Sequence, residues 1–290
     1  MNSELETRFC VERQGLRSAA DRHSLSEIQN GPHTRSHSGS SIMQPSHVVR
    51  ESGGTNWWER ILGINTPGDI AAVFDLDGTL YTGHITLGLA EHHRTHRVKR
   101  LELYSFMLTH MPIWWLQRLG LVSEATSRSI WARDMGWTVR GWTPQEAKGA
   151  FHWLAEQYVL PKVRPEVMAR LRDHQDAGNR VILVSGTFSP LLCEIGYQLG
   201  IKETVGTPIL VKNGRYTGGS ELPVCQGQHK VTRLKEYLRS TRDINWSRSS
   251  AYADSKADIP LLEAVGFPVA VVPDAFLESY AMERGWEILQ

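Results

Sequence analysis

The stretch Val73-Phe74-Asp75-Leu76-Asp77-Gly78-Thr79-Leu80 constrains this chain more than any other. Apolar residues from Ile70 to Phe74 lead into two carboxylates spaced i, i+2, followed by Gly-Thr. A short apolar run bounded by turn residues reads as a buried strand. Open α/β sheets carry their chemistry beyond the carboxyl ends of the strands. Two acids there, with Gly78 releasing the backbone into a tight turn, suit a magnesium-assisted nucleophile and its acid/base partner. A solvated DxDG turn or a calcium loop uses similar residues, but the apolar strand and the Thr-Leu that follows argue against both.

From Asp69 onward the pattern alternates strand and helix. Strands are expected at about 70–75, at 180–184 closing on Ser185-Gly186-Thr187, at 251–253 leading into Asp254, and at 268–272. Asn213-Gly214 between Pro208–Val211 and Tyr216-Thr217 signals a hairpin. Helices are expected at about 165–178, 190–199, 230–238, 259–265 and 277–282. Between the first two strands, about 86–160 is helical, punctuated by Pro112, Gly120, Gly136, Gly141 and Pro144. This predicts a doubly wound parallel α/β sheet with an inserted α-helical cap domain above its carboxyl edge. The division expected is a tail over 1–55, a catalytic core over 56–83 and 161–290, and a helical cap over 84–160. The tail lacks apolar periodicity and reads as disordered, or as an over-extended translation start. Trp57-Trp58 and Ile61-Leu62 suggest a short helix docked on the body.

Lys+Arg 32 against Asp+Glu 31 leaves a net charge of +1, so a nucleic-acid partner has no compositional support. Three widely spaced cysteines give no disulfide framework, and Cys193 reads as a small core residue. No apolar h-region opens the chain, and a cytoplasmic protein is expected. Leu103 to Val122 is the most membrane-like stretch but is too polar and interrupted to span a bilayer. Its Trp114-Trp115 pair suits either peripheral membrane contact through the cap or burial within it. Residues 84–160 also hold Trp131, Trp137, Trp142 and Trp153. Either all pack internally, or some face the site and favour a leaving group with an apolar portion.

Four separated pieces end strands or begin helices on one edge: Asp75/Asp77, Ser185-Gly186-Thr187, Lys230, and Asp254 with Asp258. Phosphoryl transfer calls for these residue types, because an anionic nucleophile attacking an anionic phosphate needs a divalent cation and fixed donors. Ser185 with the Gly186 and Thr187 amides makes a phosphate cradle, and Lys230 adds a compact positive charge. Taken singly, each piece is also compatible with a plain turn, a solvated lysine or surface charge.

The chain resembles the haloacid dehalogenase (HAD-like) superfamily, in its phosphoserine-phosphatase-like branch. Asp75-Leu76-Asp77-Gly78-Thr79-Leu80 matches the first motif, Val184-Ser185-Gly186-Thr187 the second, Gly227-Gln228-His229-Lys230 the third, and Asp254 to Leu262 the fourth. The resemblance implies a HAD-like, Rossmannoid core with a helical first-type cap. It implies Asp75 as nucleophile, Asp77 as general acid/base, and Ser185 and Lys230 as phosphate ligands. Mg2+ would be held by Asp75, the Asp77 carbonyl and Asp254, with Asp258 supporting. Phosphoserine phosphatases carry a Glu after the first motif that reads the substrate amine. Here His84 stands near that place, and with Trp131 it is the candidate substrate contact of the cap. The expected activity is magnesium-dependent hydrolysis of a small organic phosphomonoester through an aspartyl-phosphate. The alternatives are phosphoserine phosphatase proper, a lipid-related phosphatase, and a catalytically silent binding protein of this fold.

Overall fold

The computed structural model describes residues 69–290. The expected tail over 1–55 and the helix at Trp57–Leu62 lie outside the described residues. Six strands form a sheet in the order β3-β2-β1-β6-β7-β8, every neighbouring pair parallel. They are β1 (Ala71–Phe74), β2 (Arg180–Phe188), β3 (Glu203–Thr207), β6 (Ser250–Ala253), β7 (Phe267–Val271) and β8 (Glu287–Leu289). β4 (Ile209–Lys212) and β5 (Arg215–Ser220) form the expected antiparallel hairpin, with Asn213 and Gly214 at φ 51° and 71°.

Side-chain alternation divides the core in two. Ala72, Phe74, Leu183 and Tyr252 face one layer, while Ala71, Val73, Ile182 and Ala251 face the other. Strands buried on both faces read as continuous apolar runs, which is why β1 shows no polar alternation. Helices Pro165–Asp176 and Ser189–Leu199 cover the first face through Val167, Leu171, Leu191 and Ile195. Helices Gln228–Ser240 and Ala275–Arg284 cover the second through Leu234, Leu238, Leu277 and Ala281. The architecture is thus a doubly wound parallel α/β sandwich. The chain winds outward from β1 to β3, then returns to β6 and winds the other way. The topological switch point therefore lies between β1 and β6.

The segment between β1 and β2 is helical: α1 (Ile85–His96), α2 (Arg100–Arg118), α3 (Glu124–Asp134) and α4 (Pro144–Trp153). Leu89, Met135, Val139, Phe151 and Leu154 continue the first core layer into it. The hairpin packs there too, with the Gly141 amide donating to the Tyr216 carbonyl and the Tyr216 amide to the Trp142 carbonyl, both at 2.8 Å.

The structure departs from expectation at five places. Pro112 does not break a helix but lies within α2, where the carbonyl it frees belongs to the exposed Leu108. β2 does not close before Ser185; it continues irregularly to Phe188. β3 is an edge strand with Val205 as its one large apolar residue, and β8 is an edge strand of only three residues; both fall below the threshold of a pattern reading. The helix expected over 259–265 stops at Leu262. There the Gly266 amide donates to the Trp246 carbonyl at 2.9 Å, and a Cβ on Gly266 would sit 1.9 Å from the Ser247 carbonyl oxygen. Only glycine passes at that distance, and the backbone turns into β7.

Candidate active site

Asp75 and Asp77 follow β1, Asp254 follows β6, and Ser185-Gly186-Thr187 lies at the end of β2. All therefore reach the carboxyl edge of the sheet. A cleft of about 450 Å³ is bordered by these residues together with Lys230, Asp258, His84 and Trp131. The fold thus gathers every residue singled out from the sequence.

Lys230, on the helix Gln228–Ser240, is buried and lies 2.6 Å from Asp75 Oδ1 and 2.5 Å from Asp258 Oδ1. Ser255 Oγ donates to Asp258 Oδ2 at 3.0 Å. Thr79 Oγ1 lies 3.0 Å from Asp254 Oδ1 and 3.4 Å from Asp75 Oδ2. Oxygens of Asp75, Asp254 and Asp258 lie within 4.8 Å of one another. Two of these three carboxylates, Asp75 and Asp258, therefore share one ammonium. Burial pushes the Asp75 carboxyl up to about 8, with Asp258 and Asp254 adding to the effect against the pull of Lys230. Asp254 is raised for the same reasons, burial first and then Asp258. Lys230 is itself raised, because the two carboxylates outweigh its burial.

Asp77 points elsewhere. Its Oδ1 accepts from the Tyr81 hydroxyl at 2.6 Å and from the Ile85 amide at 2.9 Å. Burial raises this carboxyl, and the Tyr81 bond and nearby His84 work against that rise. Gly78 makes the turn possible. It has φ +81°, and a Cβ there would lie 2.2 Å from Asp254 Oδ2.

The cradle differs from expectation. Ser185-Gly186-Thr187 is strand rather than helix N-terminus, and the Thr187 amide already donates to Ser185 Oγ at 3.1 Å. Thr207 Oγ1 fixes the Gly186 carbonyl at 3.0 Å, while the buried Thr187 hydroxyl has no hydrogen-bond partner among the described residues.

The helical segment supplies the rest of the wall. His84 immediately precedes α1, and Trp131 meets Phe106 edge-on at 5.4 Å. The tryptophans divide: Trp114 and Trp131 border the cleft, Trp142 and Trp153 pack on the core, and Trp115 is exposed. Sequence reading missed Tyr81, Glu124, Arg128 and Gln226. Tyr81 stands four residues after Asp77, a spacing that hinted at contact. Arg128 had no such signal. Its Nη1 lies 3.2 Å from Ser255 Oγ across the cleft, and its Nη2 pairs with Glu124 at 2.6 Å.

The chain is similar to known proteins in sequence and in fold. A relative named histidinol-phosphatase, from Neisseria meningitidis serogroup C (strain 8013), is 34% identical over 150 residues, covering 50% of this chain and 67% of its own. Phosphoserine phosphatase SerB1 of Mycobacterium tuberculosis (strain ATCC 25618 / H37Rv) is 30% identical over 225 residues, 75% of this chain and 70% of its own. A solved structure of a protein of unknown function from Bordetella pertussis Tohama I superposes with a TM-score of 0.65 at 25% identity, over 77% of this chain and 99% of its own. The family model for haloacid dehalogenase-like hydrolases matches residues 72–263, and the chain belongs to that family, as an enzyme with phosphatases among its relatives.

Proposed function

We propose that the protein is a magnesium-dependent phosphomonoesterase that works through an aspartyl-phosphate, an acyl phosphate on Asp75. The observation carrying this reading is the pair of acids after β1. One is joined to a buried lysine, and the other is held apart by Tyr81 and the Ile85 amide.

The residues fit a divalent cation. Three carboxylates with oxygens within 4.8 Å and one ammonium leave an excess of negative charge, which adds to the rise that burial gives Asp75 and Asp254. Asp75, Asp254 and the Asp77 carbonyl would hold Mg2+, with Asp258 supporting. When bound, the ion offsets charge on the phosphate and the carboxylates.

Lys230 holds one oxygen of Asp75, while among the described residues Oδ2 has only the 3.4 Å contact from Thr79. The Asp75 carboxylate attacks phosphorus and the bond to the leaving alcohol breaks. Asp77, kept protonated more readily by its burial, gives that alcohol its proton. Asp77, now a base, takes a proton from water as the water attacks the phosphoaspartate. Inorganic phosphate leaves and Asp75 is restored. Ser185 and Lys230 bind the phosphate oxygens throughout.

The substrate wall favours a leaving group with an apolar portion. Ile85, Leu87, Trp114, Trp131 and Met135 border the cleft, and its Glu124 is paired with Arg128. Histidinol phosphate, an amino-alcohol ester with a flat ring, fits this wall better than phosphoserine. Phosphoserine remains a second reading because Arg128 at the mouth can meet a carboxylate. Competing kcat/KM values for histidinol phosphate, phosphoserine and an aryl phosphate decide between them. Rapid mixing with labelled substrate should leave hydroxylamine-sensitive phosphate on the protein but none on Asp75→Asn. Absence of magnesium-dependent turnover with all three esters would sink the reading.

A further inference from the structure

α2 carries two faces with different tasks. Leu103, Phe106 and His110 are buried, and Trp114 and Gln117 border the cleft. On the outer side Leu101, Tyr104, Leu108, Met111, Trp115 and Leu119 stand three or four residues apart. Each is between 40% and 83% exposed. Three or four residues is the spacing that puts side chains on one helix face. At 19 residues the helix is about 28 Å long, so the stripe is continuous over that length. Soluble proteins seldom leave so extended an apolar surface uncovered without use.

The charges around the stripe identify what covers it. From Leu103 to Ser123 there is no Asp or Glu. The acids that flank this interval are already paired, Glu102 with Lys99 at 2.9 Å and Glu124 with Arg128 at 2.6 Å. Arg94, Arg97 and Arg100 stand exposed at the amino end, and Arg118 in the last turn. None of these four holds an ion pair among the described residues. Arg100 and Arg118 instead lie near the rings of Tyr104 and Trp114, at 5.9 and 4.9 Å. A second copy is a poor complement. Parallel pairing sets Arg100 against Arg100 and antiparallel pairing sets it against Arg118, with no carboxylate along the stripe to offset either. Anionic headgroups complement both ends, and Trp and Tyr suit the boundary between apolar and wet layers. No described helix is long and apolar enough to cross a membrane.

We propose that the outer face of α2 docks the protein on an anionic lipid surface, with the helix in the plane of the headgroups. Because Trp114 and Gln117 of the same helix border the cleft, docking opens the cleft beside that surface. The proposal does not depend on the phosphatase reading, since docking is measured without turnover.

The test is co-sedimentation of the full chain with large vesicles of phosphatidylcholine, with and without one third phosphatidylglycerol. The protein should sediment with the anionic vesicles, and less so at high salt. Leu108→Glu combined with Trp115→Glu should lower the partition at least about tenfold. Hydrolysis of a soluble aryl phosphate should be unchanged, because neither side chain reaches the cleft. Arg100→Glu with Arg118→Glu should remove the preference for anionic over neutral vesicles. Failure to sediment with either vesicle overturns the proposal, as does equal sedimentation of the Leu108/Trp115 variant. A lipid-free dimer that the same variant converts to monomer also overturns it, because the occupant is then a second copy.

Discussion

The Tyr81 hydroxyl donates to Asp77 Oδ1 at 2.6 Å, on the same oxygen that receives the Ile85 amide. One oxygen of the proposed acid/base is thereby given to orientation. The other accepts no hydrogen bond from the described residues and remains for the proton in transit. Tyr81 is fully buried, so this orientation is set by the core and not by the substrate.

Tyr81→Phe should move the whole pH–rate profile to higher pH and lower kcat. The lost bond favoured the carboxylate, so Asp77 rises further above its ordinary range. Both limbs move upward: the alkaline limb reports loss of the acid form, the acidic limb loss of the base form. A profile superposable on that of the parent would remove Tyr81 from this role.

Asp75→Asn should abolish turnover by about 10⁴-fold or more, the scale of removing a nucleophile. In metal-free buffer the melting temperature should stay level or rise. The parent carboxyl is raised to about 8 in the metal-free site and so already stands neutral below that pH; the isosteric amide changes little there, relieves repulsion above it, and leaves Lys230 paired with Asp258. Calorimetry of both proteins in chelator checks this, and a large fall in melting temperature would contradict it.

Magnesium should stabilise the protein more at pH 8 than at pH 5. The Asp75 carboxyl is raised from 3.8 to about 8 in the folded, metal-free site. The folded state therefore binds the extra proton between those values. The stability it gains is full below the unfolded value and is lost as pH rises through the folded one. A bound cation replaces that proton and removes the decline. Melting curves with magnesium and with chelator at the two pH values measure the difference. Equal shifts would mean the ion binds elsewhere.

Gly78→Ala should lose both activity and magnesium affinity. The new methyl meets Asp254 Oδ2, and the backbone stands at φ +81°. The strain costs about 1–3 kcal/mol if the turn holds. If the turn yields, Asp75 and Asp254 no longer converge. Either outcome separates from simple unfolding by calorimetry alongside magnesium titration.

Much of this was legible in the sequence because β1 and β2 are buried on both faces and their apolar runs are unbroken. The carboxylates after them follow directly. β3 escaped because Glu203-Thr204-Val205-Gly206-Thr207 is an edge strand with one large apolar residue. Pro112 misled because a proline is read as a break. Here the exposed turn before it lets water take the orphaned carbonyl. Arg128 was invisible for a different reason: it reaches Ser255 only through the placement of α3 over the sheet, 127 residues away in sequence. Local patterning reports what a strand end presents, not which helix is folded over it.

β1 lies between β2 and β6, so the backbone that carries Asp75 is laddered on both sides. The large apolar side chains that border the cleft come from a single stretch, Ile85 to Met135, on helices outside the sheet. On the proposed reading, chemistry and preference are carried by separable parts of one chain. Selection for a new leaving group should gather its changes in that stretch while the sheet residues stay as they are.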